Sequence, residues 1–369
     1  MSDHIPLEIQ TEILKRLPVK SLIQFRSVCK SWKSLIESPD FIAHYNSQQQ
    51  HLLVSYKVNY EAKYVTIDDD EHIVSLTLPP LVNKLRTTVG SSHGLLCFFG
   101  DVQELTEIGS AAIWNPCIRK AVHVDVPRVK FGNTYTTLLG FGVCPETIDP
   151  KIVKITHCVD MESVTFIPWQ VEVFTLNTRA WRSPYSSNLP RKSIYFDWDQ
   201  VVVDGCLYWL ATDRIALDDI DGTVRSYNLI VSFDLITEEF REVNLPGGLA
   251  GASCSLSMYK LGESIAVFEL GVEANELVYR VWVMEDGVTK SFNNLFGFSS
   301  RSRDPDVSIS CVCGFRKTGE ALIELYDSPS STTILAAYDP YSETINDILI
   351  YGRHSSYSVY HCMETLLLL

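Results

Sequence analysis

A turn followed by an apolar strand recurs along this chain at a nearly fixed interval, and few folds tolerate that regularity. His93-Gly94 precedes Leu95-Leu96-Cys97-Phe98, Asp149-Pro150 precedes Ile152-Val153-Lys154-Ile155, and Asp204-Gly205 precedes Cys206-Leu207-Tyr208-Trp209. Leu261-Gly262 precedes Ile265-Ala266-Val267-Phe268, and Thr318-Gly319 precedes Ala321-Leu322-Ile323-Glu324. From Gly94 through Pro150, Gly205 and Gly262 to Gly319 the steps are 56, 55, 57 and 57 residues. A repeat of this length is one supersecondary unit that hides its apolar face by stacking on its neighbours. A second element lags the first by about 20 to 30 residues. It is an aromatic-led strand running into a polar turn, at Trp114-Asn115-Pro116, Phe174 to Thr178, Phe233-Asp234-Leu235, Trp282 to Gly287 and Tyr338-Asp339-Pro340. Tyr64 with Asp68 to Asp70 supplies a sixth copy. Two hairpins per unit make four strands, the size of one propeller blade.

Five full units and a partial one over His51 to Pro80 imply six blades. The next turn of the series would fall near residue 375, past Leu369, so Tyr357 to Leu366 is expected to complete the first blade beside the N-terminal strands. That also gives the apolar run Leu366 to Leu369 a place. A β-sandwich is the competing geometry, and the even period counts against it.

The first 45 residues follow a different rhythm. Ile9, Ile13 and Leu17 recur at i, i+4, i+8 with Leu14 beside them, and Glu8, Gln10, Glu12, Lys15 and Arg16 take the other face. Pro6 suits a first helical turn and Pro18 ends the run. Leu22, Phe25, Cys29, Trp32 and Ile36 then step by 3, 4, 3, 4, a helical stripe bent near Val28. A third helix is expected from Ser38 as N-cap and Pro39 at N1, through Phe41 to Tyr45. So short a set of helices cannot turn Leu7, Ile9, Ile13, Leu14, Leu17, Leu22, Phe25, Val28, Trp32 and Leu35 all inward. Periodicity leaves two readings: the surplus faces a partner, or it caps the chain's own downstream body. The expected fold class is therefore multidomain α+β, with a helical module over 1–45, a polar linker over 46–50 and an all-β propeller of six blades over 51–369.

The helical segment resembles the F-box in its plant form. The matching runs are Ile5-Pro6-Leu7-Glu8-Ile9, Glu12 to Leu22, Phe25-Arg26-Ser27-Val28-Cys29-Lys30-Ser31-Trp32 and Ser38-Pro39-Asp40-Phe41. The remainder resembles the F-box-associated, kelch-like β-propeller of plant F-box proteins. It does so through Gly90 to Cys97, Ile113 to Lys120, Phe141-Gly142, Val201 to Ala211 and Ser232-Phe233-Asp234-Leu235. Departures are Asp149-Pro150-Lys151-Ile152-Val153, where the family has Asp-Tyr-Lys-Val-Val, and Phe292 in place of a Trp. The resemblance implies a Skp1-type adaptor held through Pro6, Leu7, Ile9, Ile13, Leu14, Leu17, Pro18, Leu22, Val28, Cys29, Trp32 and Leu35. Through that adaptor it implies cullin and RING subunits of a ubiquitin ligase, with a target protein, its identity unspecified by the sequence, on the propeller.

Charge and motif content are consistent with recognition. The first 45 residues carry six Lys/Arg and five Asp/Glu, whereas the remaining 324 carry 25 and 40, a net charge of −15. Such a body has no electrostatic footprint for nucleic acid or anionic membranes. No apolar run approaches membrane-spanning length, and Met-Ser-Asp-His has no basic n-region or apolar h-region, so a cytoplasmic or nuclear protein is expected. The ten cysteines are scattered in apolar runs and read as free thiols of a reducing compartment.

No catalytic constellation and no cofactor motif emerges. Cys311-x-Cys313 lacks a second pair and is read as two thiols on alternate faces of a strand. Asp218-Asp219-Ile220-Asp221-Gly222 has Leu217 at the first calcium-ligand position and reads as a hairpin tip. Gly247-Gly248-Leu249-Ala250-Gly251 lacks the Lys of a phosphate loop, and Asp68 to Glu71 reads as a solvated turn. Residues too aromatic or too basic for turns of an acidic body are the candidate target contacts: Tyr195, Phe196 and Trp198, and Arg301 with Arg303. A non-catalytic substrate receptor is thus the expectation. An F-box scaffold or competitor outside the ligase, or a propeller enzyme with a helical appendage, are the alternatives.

Overall fold

The computed structural model describes residues 5–45, 50–68, 72–85, 87–100, 108–127, 135–158, 169–191, 193–216, 224–251, 255–273, 276–285, 290–299, 307–327 and 332–369. Arg301, Arg303, Asp69 to Glu71 and the Asp218 to Gly222 tip lie outside the described residues.

Four short helices open the chain: α1 (Leu7–Lys15), α2 (Val19–Phe25), α3 (Lys30–Ile36) and α4 (Pro39–His44). The stripe expected to run from Leu22 to Ile36 as one bent helix is instead two. The N–H groups of Ser27 and Val28 turn back to the carbonyls of Gln24 and Phe25, a tighter turn that closes α2. Cys29 is then extended, and its Sγ accepts from the Trp32 N–H at 3.4 Å as the N-cap of α3. Helical spacing survives the break because both helices turn the same residues inward. The last helix follows expectation, with Ser38 Oγ accepting from the Phe41 N–H and Pro39 at the first position.

Among the described residues the strands form six four-stranded sheets, the blades of an all-β propeller. The first joins β1 (Gln50–Val58), β2 (Glu61–Ile67) and β3 (Ile73–Ser75), and a single turn, α5 (Pro80–Asn83), follows. The second holds β4 (Thr87–Ser92), β5 (Leu95–Gly100), β6 (Ile108–Asn115) and β7 (Lys120–Pro127); the third β8 (Tyr135–Val143), β9 (Pro150–Cys158), β10 (Gln170–Thr175) and β11 (Ala180–Arg182). The fourth holds β12 (Ile194–Val203), β13 (Cys206–Ala216), β14 (Val224–Asp234) and β15 (Phe240–Asn244); the fifth β16 (Ser255–Leu261), β17 (Ser264–Glu273), β18 (Glu276–Glu285) and β19 (Ser291–Ser299). The sixth holds β20 (Val307–Phe315), β21 (Ala321–Asp327), β22 (Thr332–Asp339) and β23 (Thr344–Gly352). The last strand, β24 (Ser358–Met363), returns to pair with β1 in the order β24-β1-β2-β3.

The repeated turns of the sequence join the first two strands of a sheet. His93-Gly94 and Asp204-Gly205 are two-residue links between paired Ser92 and Leu95 and between Val203 and Cys206. All four residues have positive φ, the geometry that matches the right-handed twist of the flanking strands. At the second of these turns, in the third sheet and with Pro150 where the others have Gly, the link lengthens to Cys144–Asp149, and Ile148 carries the positive φ. Pro150 can then open β9, a first-strand position where its missing N–H costs nothing.

The chain divides into two compact units, residues 1–53, 64–128 and 360–369 in one and 54–63 with 129–359 in the other. In the first unit Leu14, Val19, Leu22, Ile36, Phe41 and Tyr45 form the helical core, joined by Leu366 and flanked by Cys117, Ile118 and Leu369. The expected completion of the first sheet thus stops at Met363: Leu366 serves the helices instead, because a Leu that finds a ready apolar core gains more there than at a sheet edge. The helices thus bury one face on their own chain, as the capping reading expects, and leave another exposed.

In the second unit, adjacent sheets meet where glycines admit large side chains. A Cβ on Gly140 would come within 2.3 Å of the Trp209 ring, and one on Gly142 within 2.6 Å of Leu235. A buried ion cluster ties the third and fourth sheets. The Glu238 carboxylate accepts from Lys151 Nζ at 2.8 Å, from both terminal nitrogens of Arg182 at 2.7 and 2.6 Å, and from the Tyr185 N–H at 3.0 Å. Cys311 and Cys313, expected on alternate faces, have their sulfurs 3.9 Å apart, because residues two apart in a strand share a face.

Candidate functional site

Two surfaces stand out, one in each unit. On the helices, Ile5, Leu7, Ile9, Ile13 and Val28 are each at least half exposed, and Pro6, Pro18 and Cys29 are exposed with them. Leu17, Trp32 and Leu35 are half-buried along its margin, whereas Leu14 and Leu22, grouped with the docking residues above, are fully buried and shape the face from beneath. Burying an exposed aliphatic side chain of this size contributes roughly 1.5 to 3 kcal/mol. These five are already about half covered, so burying the remainder contributes on the order of 4 to 8 kcal/mol, which offsets the lower part of an association cost of about 4 to 15 kcal/mol.

The face is held rigid from behind. Trp32 Nε1 donates to Gln10 Oε1 at 2.6 Å, and Gln10 Nε2 donates to the Ile5 carbonyl at 2.6 Å, so one amide fixes α3 to the chain entering α1. The Trp32 ring lies 5.3 Å from that of Phe25, and Arg26 Nε donates to Glu37 Oε1 at 2.9 Å across the α2–α3 break. Tyr45 OH closes the bundle on the Leu17 carbonyl at 2.8 Å. The Cys29 thiol is held below its ordinary pKa by Ser31 Oγ at 3.1 Å and then by the Trp32 N–H. Gln10 carries no family signal in the sequence and reads there only as a polar-face residue.

The second surface is on β12. Pairing with β13 runs Phe196 to Ala211 and resumes at Gln200 with Trp209, so Asp197, Trp198 and Asp199 bulge out opposite Leu210 alone. Trp198 is 61% exposed. Its neighbours anchor it: Phe196 sits edge-on to Trp169 at 4.9 Å and to Trp209 at 5.7 Å, and the Arg214 guanidinium lies 4.5 Å over the Tyr195 ring. The Gln200 amide both donates to and accepts from the Phe141 backbone, at 2.7 and 2.8 Å, so a side chain supplies a rung to the next sheet's β8. Of the three aromatic residues read from sequence, Trp198 is therefore free for contact, Tyr195 is half-covered and Phe196 is packing.

A cavity of about 360 Å³ is lined by Cys206, Tyr208, Asp234, Arg241, Glu242 and Lys290 among others. Lys290 Nζ donates to Tyr208 OH at 2.5 Å, and the Cys206 thiol is raised by burial and by the Asp234 carboxylate, the reverse of an activated nucleophile. Among the described residues no group of three or more His, Cys, Asp or Glu could hold a metal ion. No helix of the described residues is long and apolar enough to cross a membrane.

The family model for the F-box-associated β-propeller domain matches residues 47–324, and that for the F-box domain matches residues 2–44. The chain belongs to the F-box proteins with an associated β-propeller. Among relatives from Arabidopsis thaliana, F-box protein CPR1 is 24% identical over 99% of this chain and 89% of its own length. F-box/kelch-repeat protein At3g23880 is 26% identical over 80% of this chain and 78% of its own. Putative F-box protein At3g16210 is 28% identical over 67% of this chain, which spans 62% of that relative. The helical face described above is thus the F-box of the chain, and the sheets are its associated propeller.

Proposed function

We propose that this protein is the non-catalytic substrate-recognition subunit of an SCF-type E3 ubiquitin ligase. Its F-box binds a Skp1-type adaptor through Pro6, Leu7, Ile9, Ile13, Pro18, Val28 and Cys29, with Leu17, Trp32 and Leu35 at the margin and Leu14 and Leu22 as support. Cullin and RING subunits join through that adaptor, and a target protein sits on the propeller, where Trp198 is the anchor. The mechanism is proximity: the receptor presents target lysines to a ubiquitin-loaded enzyme, and another subunit performs the transfer. The observation that carries this reading is the row Ile5, Leu7, Ile9, Ile13 and Val28, apolar and at least half exposed on helices otherwise well packed. Affinity capture from cells with and without proteasome inhibitor tests it. The adaptor is expected with wild type and not with Pro6→Ala/Leu7→Ala, together with a partner whose level rises on inhibition. Adaptor recovery with no such partner would favour a scaffold or competitor role, and equal adaptor recovery from the variant would sink the reading.

A further inference from the structure

We infer that the segment Glu364–Leu369 is a working part of the adaptor-docking module, so that adaptor affinity depends on residues about 345 positions downstream of α2. The inference rests on the adaptor reading above.

Helix α2 begins after Pro18, which has no side-chain oxygen to cap it, and no residue of its own segment does so. The missing acceptor comes from Glu364, whose Oε2 accepts from the Val19 N–H at 2.9 Å. Two residues on, Leu366 is fully buried among Leu14, Val19, Leu22, Ile36 and Phe41. These are the inward residues of the helices whose outward residues form the docking face: Leu14 lies beside Ile13 on α1, and removing its packing partner frees the helix that presents Ile9 and Ile13. Helices of nine, seven, seven and six residues are too short to persist without such packing.

The segment is itself clamped from the other side by the second sheet. Asn115, fully buried at the end of β6, donates through Nδ2 to the carbonyls of Thr365 and Leu367 at 2.9 and 2.8 Å, while its Oδ1 accepts from the Cys117 and Ile118 N–H groups at 2.9 and 3.3 Å. Lys120 Nζ donates to the Leu369 carbonyl at 3.0 Å. Gly94 leaves the room for this approach, since a Cβ there would lie 2.1 Å from the Met363 carbonyl oxygen. The Trp114-Asn115-Pro116 turn, one of the repeated aromatic turns, thereby holds a strap that carries one cap and one core residue to the helices.

The test uses the full chain and purified Skp1-type adaptor, with adaptor affinity and amide exchange over Val19–Leu22 as readouts. Leu366→Asp is expected to weaken adaptor binding by about tenfold or more, and Glu364→Ala by roughly fivefold, the ratio a lost N-cap bond corresponds to. Both speed exchange in α2 while every exposed docking residue is unchanged. Ile350→Ala, in the core of β23, is expected to leave both readouts as in wild type, which separates the effect from general loss of stability. Wild-type affinity in Leu366→Asp and Glu364→Ala, or equal weakening by Ile350→Ala, would overturn the inference alone. No binding by the wild type would overturn the adaptor reading and this inference with it.

Discussion

Leu7 and Leu14 sit on one helix, seven residues apart, and differ in role: the first is exposed, where the proposed adaptor would meet it, and the second holds the bundle. Cys29 combines both roles, capping α3 with its sulfur while the thiol remains exposed. Hydrogen bonds from Ser31 and the Trp32 N–H lower its pKa, whereas burial raises those of Cys97 and Cys362 and pushes Cys117 up to about 11. At neutral pH iodoacetamide should therefore label Cys29 ahead of these three, and adaptor should slow the reaction, as peptide mass spectrometry would record. Labelling of Cys29 at an unchanged rate under saturating adaptor would remove it from the interface. Trp198 poses the corresponding question on the propeller. Trp198→Ala should change stability by no more than about 0.5 kcal/mol, as expected for an exposed bulge, yet lose the captured target. Retention of the target would place the contact elsewhere.

Among the elements, those announced by local chemistry were legible and those set by distant contacts were not. The positive-φ pairs His93-Gly94 and Asp204-Gly205 mark two-residue hairpins whatever surrounds them, and Ser38-Pro39 marks the start of α4. The break between α2 and α3 was hidden because Leu22, Phe25, Trp32 and Ile36 keep helical spacing across it. The bulge at Asp197–Asp199 was hidden too, for it depends on pairing with β13 and on the Gln200 amide bonding to Phe141. The Glu238 cluster joins β9 and β11 to the β14–β15 turn and leaves no trace in the sequence. Burial alone would raise the Glu238 carboxyl, but Arg182, Lys151 and the Tyr185 N–H together bring it below the usual carboxylate value. A depressed folded-state pKa contributes stability that is complete above the unfolded value near pH 4.3 and is lost as pH falls through the folded value. Thermal unfolding from pH 7 down to pH 3 should show this loss. Glu238→Gln, which leaves two cations without a counter-charge, should cost about 3 kcal/mol at pH 7 and flatten the acid limb. An equally steep limb in the variant would assign the loss to other carboxylates.

At the scale of the whole molecule, the period near 56 residues announced six sheets, and β24 returns to β1 as the fourth strand of the first. The period could not announce where Leu366 goes, because a strap is a single copy and carries no repeat. The target contact proposed at Trp198 is likewise a one-off, a bulged Trp on one strand, and only an aromatic cluster out of keeping with an acidic body's turns hinted at it. The central claim is that the exposed apolar row of the helical module is an adaptor interface. Titration of purified Skp1-type adaptor into wild type, Leu7→Asp/Ile13→Asp and the surface variant Leu349→Asp of the second unit tests it most directly. The account predicts binding to wild type and Leu349→Asp alike and a loss of about a hundredfold or more in Leu7→Asp/Ile13→Asp, from two apolar contacts turned into desolvated charges. Equal affinity of all three proteins for the adaptor would contradict it.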